Sequence, residues 1–187
     1  MQSSSLPSLI PVDDYLTGEA DGERRHEYIG GQVYAMTGAS RAHALIVSNL
    51  VASLRPLVRG LGCQLFSNDM KVRLRIADQD IFYYPDLLLS CDASDREIYY
   101  STKPCVIVEV LSESTERVDR REKFLAYTTL PSLQDYLLTS QTRREVWHFR
   151  RSRGWAADVV AEGDLTLDCL DIALAVESIY EEVEGLD

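Results

Sequence analysis

Cys105-Val106-Ile107-Val108-Glu109-Val110-Leu111 is an apolar run that one carboxylate interrupts. A continuous apolar run of this length is typical of a strand that is buried on both faces. Glu109 is costly in such a strand, because an ionised group removed from water loses several kcal/mol unless a cation or strong donors compensate it. The sequence therefore predicts either a functional carboxylate at Glu109 or a buried ion pair with an arginine.

A second apolar run, Tyr83-Tyr84-Pro85-Asp86-Leu87-Leu88-Leu89, also contains one carboxylate. If the two runs form an antiparallel hairpin, Asp86 and Glu109 face each other, since their midpoint lies in the polar segment 92–103. Directly opposed side chains have β-carbons about 5 Å apart, and two like charges that close favour a cation between them. We therefore expect Asp86 and Glu109 to bind Mg²⁺ or Mn²⁺, which prefer oxygen ligands. The alternative for Asp86 is an aspartate in a turn or at the start of a strand.

The surrounding sequence predicts an α/β fold. A hairpin is expected around Gly30-Gly31 in residues 25–36, and a helix runs from Ser40, its predicted cap, to Gly60. A second helix over 117–129 opens at Ser114 or Thr115, and a short helix spans 176–183. Predicted strands cover 70–76, 82–90, 105–111, 135–139, 145–150 and 155–160. This order predicts a mixed central sheet flanked by helices, with extra antiparallel strands near the C-terminus.

Length and composition favour one domain over residues 1–187, with disorder in about the first eight residues. The four cysteines are scattered without a CxxC pair, which favours small core residues over a metal knuckle or a disulfide framework. The chain lacks a secretory signal pattern and an apolar run of membrane-spanning length. We therefore expect a protein of the reducing cytoplasm.

The net charge of −11 argues against binding nucleic acid through a broad basic surface, because the field of such a protein repels phosphates. Local clusters of basic residues would soften this objection. One such cluster lies within residues 143–153, and the other consists of Arg117, Arg120, Arg121 and Lys123.

Several segments together resemble the Uma2, or DUF820, family of restriction-endonuclease-like proteins in the PD-(D/E)xK nuclease superfamily. They are Tyr84-Pro85-Asp86, Val108-Glu109-Val110-Leu111-Ser112, Ser114-Thr115 and Asp119-Arg120-Arg121-Glu122-Lys123. The resemblance extends from residue 25 to about residue 155 and includes Gly38-Ala39-Ser40 with His43. It implies an αβββαβ core, a metal site on the central hairpin and magnesium-dependent endonuclease activity on nucleic acid, with DNA as the expected substrate. It also implies a homodimer, which the residues themselves do not indicate.

One departure from the superfamily pattern concerns the E-x-K motif, because Leu111 stands where the lysine would follow Glu109. Lys123, on the next predicted helix, is the expected replacement; its alternative is a surface pair with Asp119. Lys71 and Lys103 are weaker substitutes.

Two further residues complete the predicted site. The resemblance suggests Glu27 as a third metal ligand or as the base that positions water, and its alternative is an exposed glutamate at a strand end. His43 is expected to contact a phosphate or the metal's water, against the alternative of a structural histidine.

Two other functions remain open on the sequence alone. The missing in-line lysine is compatible with a catalytically inactive binding or regulatory module of this fold. A metal-dependent phosphohydrolase acting on small phosphate esters would suit the acidic surface better than duplex binding does.

Overall fold

The computed structural model describes residues 9–36, 38–112 and 115–186. The first eight residues, which were expected to be disordered, lie outside these ranges. Ser114, one of the two expected starts of the second helix, also lies outside them. The helices are α1 (Val12–Asp21), α2 (Arg41–Val58), α3 (Glu116–Val118), α4 (Phe124–Tyr127) and α5 (Val176–Ile179). The strands are β1 (His26–Ile29), β2 (Gln32–Ala35), β3 (Gln64–Ser67), β4 (Lys71–Ile76), β5 (Gln79–Tyr83), β6 (Leu87–Ser90), β7 (Tyr100–Ser101), β8 (Val106–Leu111), β9 (Asp135–Ser140), β10 (Val146–Arg150), β11 (Ala157–Val160), β12 (Asp164–Leu167) and β13 (Ile172–Ala175).

The strands form three sheets, and the largest is mixed. Its order is β11-β10-β9-β8-β6-β3; β8 and β9 run parallel, whereas its other neighbouring strands are antiparallel. A second sheet has the order β2-β1-β5-β4-β7, and β12 pairs with β13. The predicted α/β fold with a mixed sheet, flanking helices and antiparallel strands near the C-terminus is therefore confirmed.

The two faces of the mixed sheet bury different side chains because residues along a strand alternate in direction. Val106, Val108 and Val110 join a core that includes α2 and α5. Ile107 and Leu111 join the opposite core, which includes α4. Glu109 lies between Ile107 and Leu111 in this alternation, so its side chain is on the α4 face of the sheet.

The predicted strand over 82–90 is in fact two strands. β5 ends at Tyr83 in one sheet, and β6 begins at Leu87 in the other. Pro85 lies between the two strands. Proline has no backbone N–H to donate, and at this position it removes no hydrogen bond from either sheet. The break places Asp86 directly before β6 rather than inside a longer strand.

The predicted second helix is continuous from 116 to 127 but contains a π-helical segment, Asp119–Lys123, between α3 and α4. Both ends of this segment are buried, with Asp119 2% and Lys123 6% exposed. α1, β3 and the β12–β13 hairpin were not predicted. α1 buries only Tyr15, so it lacks the apolar periodicity from which a helix is recognised.

The expectation of four separate core cysteines is wrong. The structure joins Cys63 to Cys91 and Cys105 to Cys169 in disulfides. Gln64 pairs with Ser90 across β3 and β6, and continuing that register brings Cys63 opposite Cys91. Sequence spacing could not reveal this proximity, because it arises from strand pairing between distant segments.

Within the part of the chain that the structure describes, no helix is long and apolar enough to cross a membrane.

Candidate active site

Asp86 and Glu109 occupy the opposed positions predicted from the sequence. β6 and β8 are antiparallel with Leu87 opposite Val108, and the next step of this register brings position 86 opposite 109. Asp86 Oδ2 accepts a hydrogen bond from the backbone N–H of Val110 at 2.7 Å. The loop that starts β6 and the strand that carries Glu109 are thus held together at this point.

Glu109 is almost fully enclosed, with 3% of its surface exposed. Its Oε1 accepts hydrogen bonds from Lys123 Nζ at 3.2 Å and from the Tyr127 hydroxyl at 3.1 Å. Both donors come from the helical segment over the α4 face of the sheet. The partners of Glu109 are therefore a lysine and a tyrosine, not the arginine of the alternative prediction.

Lys123 is the lysine that reaches Glu109 on β8 and Glu27 on β1. Its Nζ lies 2.9 Å from Glu27 Oε1, 3.2 Å from Glu109 Oε1 and 3.4 Å from Asp119 Oδ1. The other two lysines of the chain are engaged elsewhere: Lys71 donates to the Tyr84 hydroxyl, and Lys103 pairs with Asp92. Lys123 does pair with Asp119, as its alternative predicted. Both side chains are buried, however, so this is not a surface pair.

Glu27 comes to the site from β1, which belongs to the other large sheet. Its side chain is 16% exposed, and its Oε1 also lies 3.4 Å from the backbone N–H of Tyr84. The alternative of an exposed strand-end glutamate is thereby excluded.

His43 lies in the first turn of α2, which Ser40 caps by accepting a hydrogen bond from the His43 N–H at 3.1 Å. Its Nε2 is 3.2 Å from Asp86 Oδ1, and both side chains are about one-seventh exposed, at 14% and 15%. The cap fixes the first turn of α2, which carries His43 beside Asp86.

Two residues of this cluster were not among the predicted site residues. Asp119 was considered only as a surface partner of Lys123, and Tyr127 was not considered. Both are separated from Lys123 by four positions, so helical periodicity would have placed all three on one face.

Burial and an excess of negative charge together shift the pKa values of the clustered groups. Burial raises the pKa of Glu109 well above its usual value, and the carboxylates of Asp119, Asp86 and Glu27 raise it further, against the lowering effect of Lys123. Burial likewise raises the pKa of Asp119. Burial alone would lower the pKa of Lys123, but Glu109, Glu27 and Asp119 outweigh it and raise that pKa well above its usual value.

The donor chemistry of the site suits a hard divalent cation. Glu27, Asp86, Glu109 and Asp119 surround one ammonium and one imidazole, and carboxylate oxygens are the ligands that Mg²⁺ and Mn²⁺ prefer. Among the described residues, however, three carboxylate or imidazole ligands are nowhere gathered within 4.8 Å of one another. The Lys123 ammonium lies among Glu27, Glu109 and Asp119 instead. Asp86 and Glu109 therefore remain a candidate pair of ligands.

The two basic clusters are only partly available at the surface. Lys123 is buried, Arg120 pairs with Glu116 at 2.7 Å and lies 3.8 Å from the centre of the Trp147 ring, and Arg150 pairs with Asp158. Exposed arginines remain in both clusters, and they include Arg117, Arg121, Arg143, Arg144 and Arg153.

Comparisons with known proteins bear on the family of the chain. The family model described as "Uma2: Putative restriction endonuclease" matches residues 12–177. An uncharacterized protein of Synechocystis sp. is 36% identical over 182 residues, which cover 95% of this chain and 94% of the relative. A second uncharacterized protein of that organism is 32% identical over 160 residues, covering 83% of this chain and 89% of the relative.

The fold also matches a solved structure. A crystal structure described as a putative nuclease belonging to DUF820 from Anabaena variabilis superposes with a TM-score of 0.73 at 16% identity. The match covers 94% of this chain and 98% of the other. At this identity the likeness establishes the restriction-endonuclease-like fold.

Proposed function

The chain belongs to the Uma2 family, and on that premise we propose that it is a divalent-cation-dependent endonuclease that hydrolyses phosphodiester bonds in nucleic acid. DNA is the expected substrate. The observation that carries the proposal is the position of Asp86, directly before β6 and opposite Glu109 on β8 in the continued register, with the Lys123 ammonium 3.2 Å from Glu109.

Asp86 and Glu109 would hold one or two Mg²⁺ or Mn²⁺ ions. Such an ion supplies Lewis-acid stabilisation of the phosphoryl and leaving oxygens and makes a bound water more acidic. The Val110 N–H and the His43 imidazole keep the Asp86 carboxylate in position, at 2.7 and 3.2 Å.

Lys123 is proposed to orient the attacking water and to offset negative charge on the pentacovalent phosphorus. Glu27, 2.9 Å from the Lys123 ammonium, would accept the proton of that water or position it. The water oxygen bonds to phosphorus, one P–O ester bond breaks, and the released alkoxide takes up a proton from solvent. His43 is proposed to contact the phosphate or water bound beside Asp86.

Calorimetric titration of the metal-free chain with Mn²⁺ and Mg²⁺ tests the site before any substrate is chosen. We expect binding in the wild type and its loss in Asp86→Ala and Glu109→Ala. Asp92→Ala is a matched control, because Asp92 is a half-exposed acid beyond the far end of β6. Equal binding by all four chains would contradict the assignment.

Cleavage assays then separate the nuclease from the other functions considered. Purified chain is incubated with single- and double-stranded DNA, with RNA and with mononucleotides, in Mg²⁺ and in EDTA. We expect cleavage of a polynucleotide that stops in EDTA and in Asp86→Ala. Nucleic-acid binding without turnover would indicate an inactive module, and turnover of mononucleotides alone would indicate a phosphohydrolase.

A second copy of the chain would allow both strands of a duplex to be cut, and we expect a homodimer on this basis. The sedimentation of the chain with and without duplex DNA measures this directly.

A further inference from the structure

The four cysteines converge at one place, away from the proposed active site. Cys63 directly precedes β3, Cys91 follows β6, Cys105 precedes β8, and Cys169 lies between β12 and β13. Cys91 Sγ lies 3.7 Å from Cys105 Sγ and 3.9 Å from Cys169 Sγ, so the two disulfides are in contact. The sulfurs of Cys91, Cys105 and Cys169 all lie within 4.8 Å of one another.

These contacts between the disulfides match the dimensions of a tetrahedral metal site. Zinc binds cysteine sulfur at about 2.3 Å, which places the sulfurs of a tetrahedral site about 3.8 Å apart. The distances from Cys91 to Cys105 and Cys169 already have this value. When the disulfides are reduced, the two bonded pairs would have to separate, and Cys63 Sγ, which is outside this group of three sulfurs, would have to move closer to it.

Contacts that do not involve sulfur hold the cysteine backbones near one another. The Asp135 carboxylate, which is fully buried, accepts a hydrogen bond from the Cys169 N–H at 2.9 Å and contacts His148 Nε2 at 2.8 Å. The Cys105 N–H donates to the Leu89 carbonyl at 2.7 Å. Reduction of the disulfides removes none of these contacts.

An ion can reach this cluster from solvent. Cys91, Cys105 and Cys169 line an open cavity of about 490 Å³ together with Asp92, Lys103 and Gln134. The same opening gives a reductant access to both disulfides.

We propose that the reduced chain binds one zinc ion through Cys63, Cys91, Cys105 and Cys169 as a tetrathiolate structural site. Disulfide formation excludes the ion. Reduction of each disulfide by a dithiol or phosphine takes up two electrons and two protons, and the reductant is oxidised. Zinc then displaces one proton from each thiol.

Ligand chemistry keeps this site distinct from the proposed magnesium site. Thiolates select soft ions such as zinc, whereas carboxylates suit hard ions such as Mg²⁺. β6 separates Cys91 from Asp86, and part of β8 separates Cys105 from Glu109. The zinc proposal does not depend on the nuclease proposal.

The test uses the full chain, reduced with a phosphine and free of metal, titrated with Co²⁺ as a spectroscopic probe and then with Zn²⁺. We expect one equivalent of Co²⁺ to give the visible bands of tetrahedral cobalt thiolate, and Zn²⁺ to abolish them. Cys91→Ser and Cys63→Ser should each weaken binding by at least about 100-fold, on the scale of losing one thiolate ligand. Asp86→Ala should bind as the wild type does, and the oxidised chain should give no bands.

Two results would overturn the proposal. One is a folded, reduced chain that takes up neither ion. The other is a Cys63→Ser variant that binds as tightly as the wild type, since three ligands would then suffice. If reduction unfolds the chain, circular dichroism decides: refolding on addition of zinc supports the site, and continued unfolding contradicts it.

Discussion

At the scale of single residues, the site depends on how one ammonium is shared among several buried carboxylates. Lys123 is 6% exposed and contacts Glu27, Glu109 and Asp119. Removing one partner from a buried ion pair is far more damaging than removing one from a surface pair, because the remaining charges are uncompensated.

Lys123→Met should therefore destabilise the metal-free chain by about 3–5 kcal/mol. Saturating Mg²⁺ should recover part of this loss, because a cation can compensate the same carboxylates. Thermal unfolding in EDTA and in Mg²⁺ measures both effects. Arg121→Met, which removes an exposed cation of the same helical segment, should change stability by no more than about 0.5 kcal/mol. A Lys123→Met chain as stable as this control would contradict the buried network.

Glu109 predicts a specific dependence of stability on pH. Because burial raises its pKa, the folded chain retains this proton in a pH range where the unfolded chain has released it. Wild-type stability therefore falls as the pH rises from the ordinary carboxyl pKa through the folded pKa, by up to about 1.4 kcal/mol for each pH unit. Glu109→Gln cannot ionise and lacks this loss.

We expect the free energy of unfolding of Glu109→Gln, measured against the wild type in EDTA, to increase as the pH rises from the ordinary carboxyl pKa through the raised pKa of Glu109 in the folded chain. Denaturant unfolding at several pH values gives the difference directly. A difference that stays constant or decreases would show that Glu109 does not retain its proton in the folded chain.

At the scale of elements, α2 connects the core to the site. Its N-terminal turn carries His43, and its buried face includes Ile46, Leu50, Leu54 and Val58. The helix also contains a matched pair of leucines, since Leu54 is 1% and Leu57 43% exposed.

Leu54→Ala should cost about 2–5 kcal/mol, the usual range for truncating a fully buried leucine. Leu57→Ala should cost about 0.5 kcal/mol or less, because its side chain is already largely in water. Equilibrium unfolding in urea measures both variants. Equal destabilisation would mean that α2 does not pack on the sheet through the face described above.

Sequence patterns predicted some of these elements and missed others. The apolar run over residues 105–111 was visible from the sequence, and it correctly predicted the buried strand that carries Glu109. The division of residues 82–90 between two sheets was not visible, because both halves are apolar and periodicity does not report which neighbour a strand pairs with. The π-helical segment was missed because an α-helix and a π-helix share the same apolar pattern over so few residues.

At the scale of the whole molecule, the net charge of −11 opposes approach to nucleic acid. Any binding must therefore use local positive charge, such as that of the exposed Arg117 and Arg121 on the helix that also carries Lys123. That the whole chain forms one domain and resides in the cytoplasm stays a prediction.

Removing both Arg117 and Arg121 should weaken DNA binding and flatten its dependence on salt, with the slope falling by about 0.9 for each phosphate that the variant no longer neutralises. Fluorescence anisotropy at several salt concentrations, with Asp86→Ala in both chains to prevent cleavage, measures the slope. Arg55→Ala with Arg59→Ala removes the same charge at the opposite end of α2 from His43 and should leave the slope unchanged. Equal slopes in the two double variants would show that Arg117 and Arg121 do not bind phosphates.

The sequence by itself determined the two apolar runs, the lone carboxylate in each run and the register that opposes the two carboxylates. These features follow from local apolar runs, alternation and the length of the connecting segment, all of which can be observed directly in the sequence. Only the tertiary structure decided that Lys123, Glu27, Asp119 and His43 surround this pair, and that the four cysteines meet. Such contacts depend on how helices cross the sheet and which distant strands pair, and neither is encoded in the spacing of residues within one element.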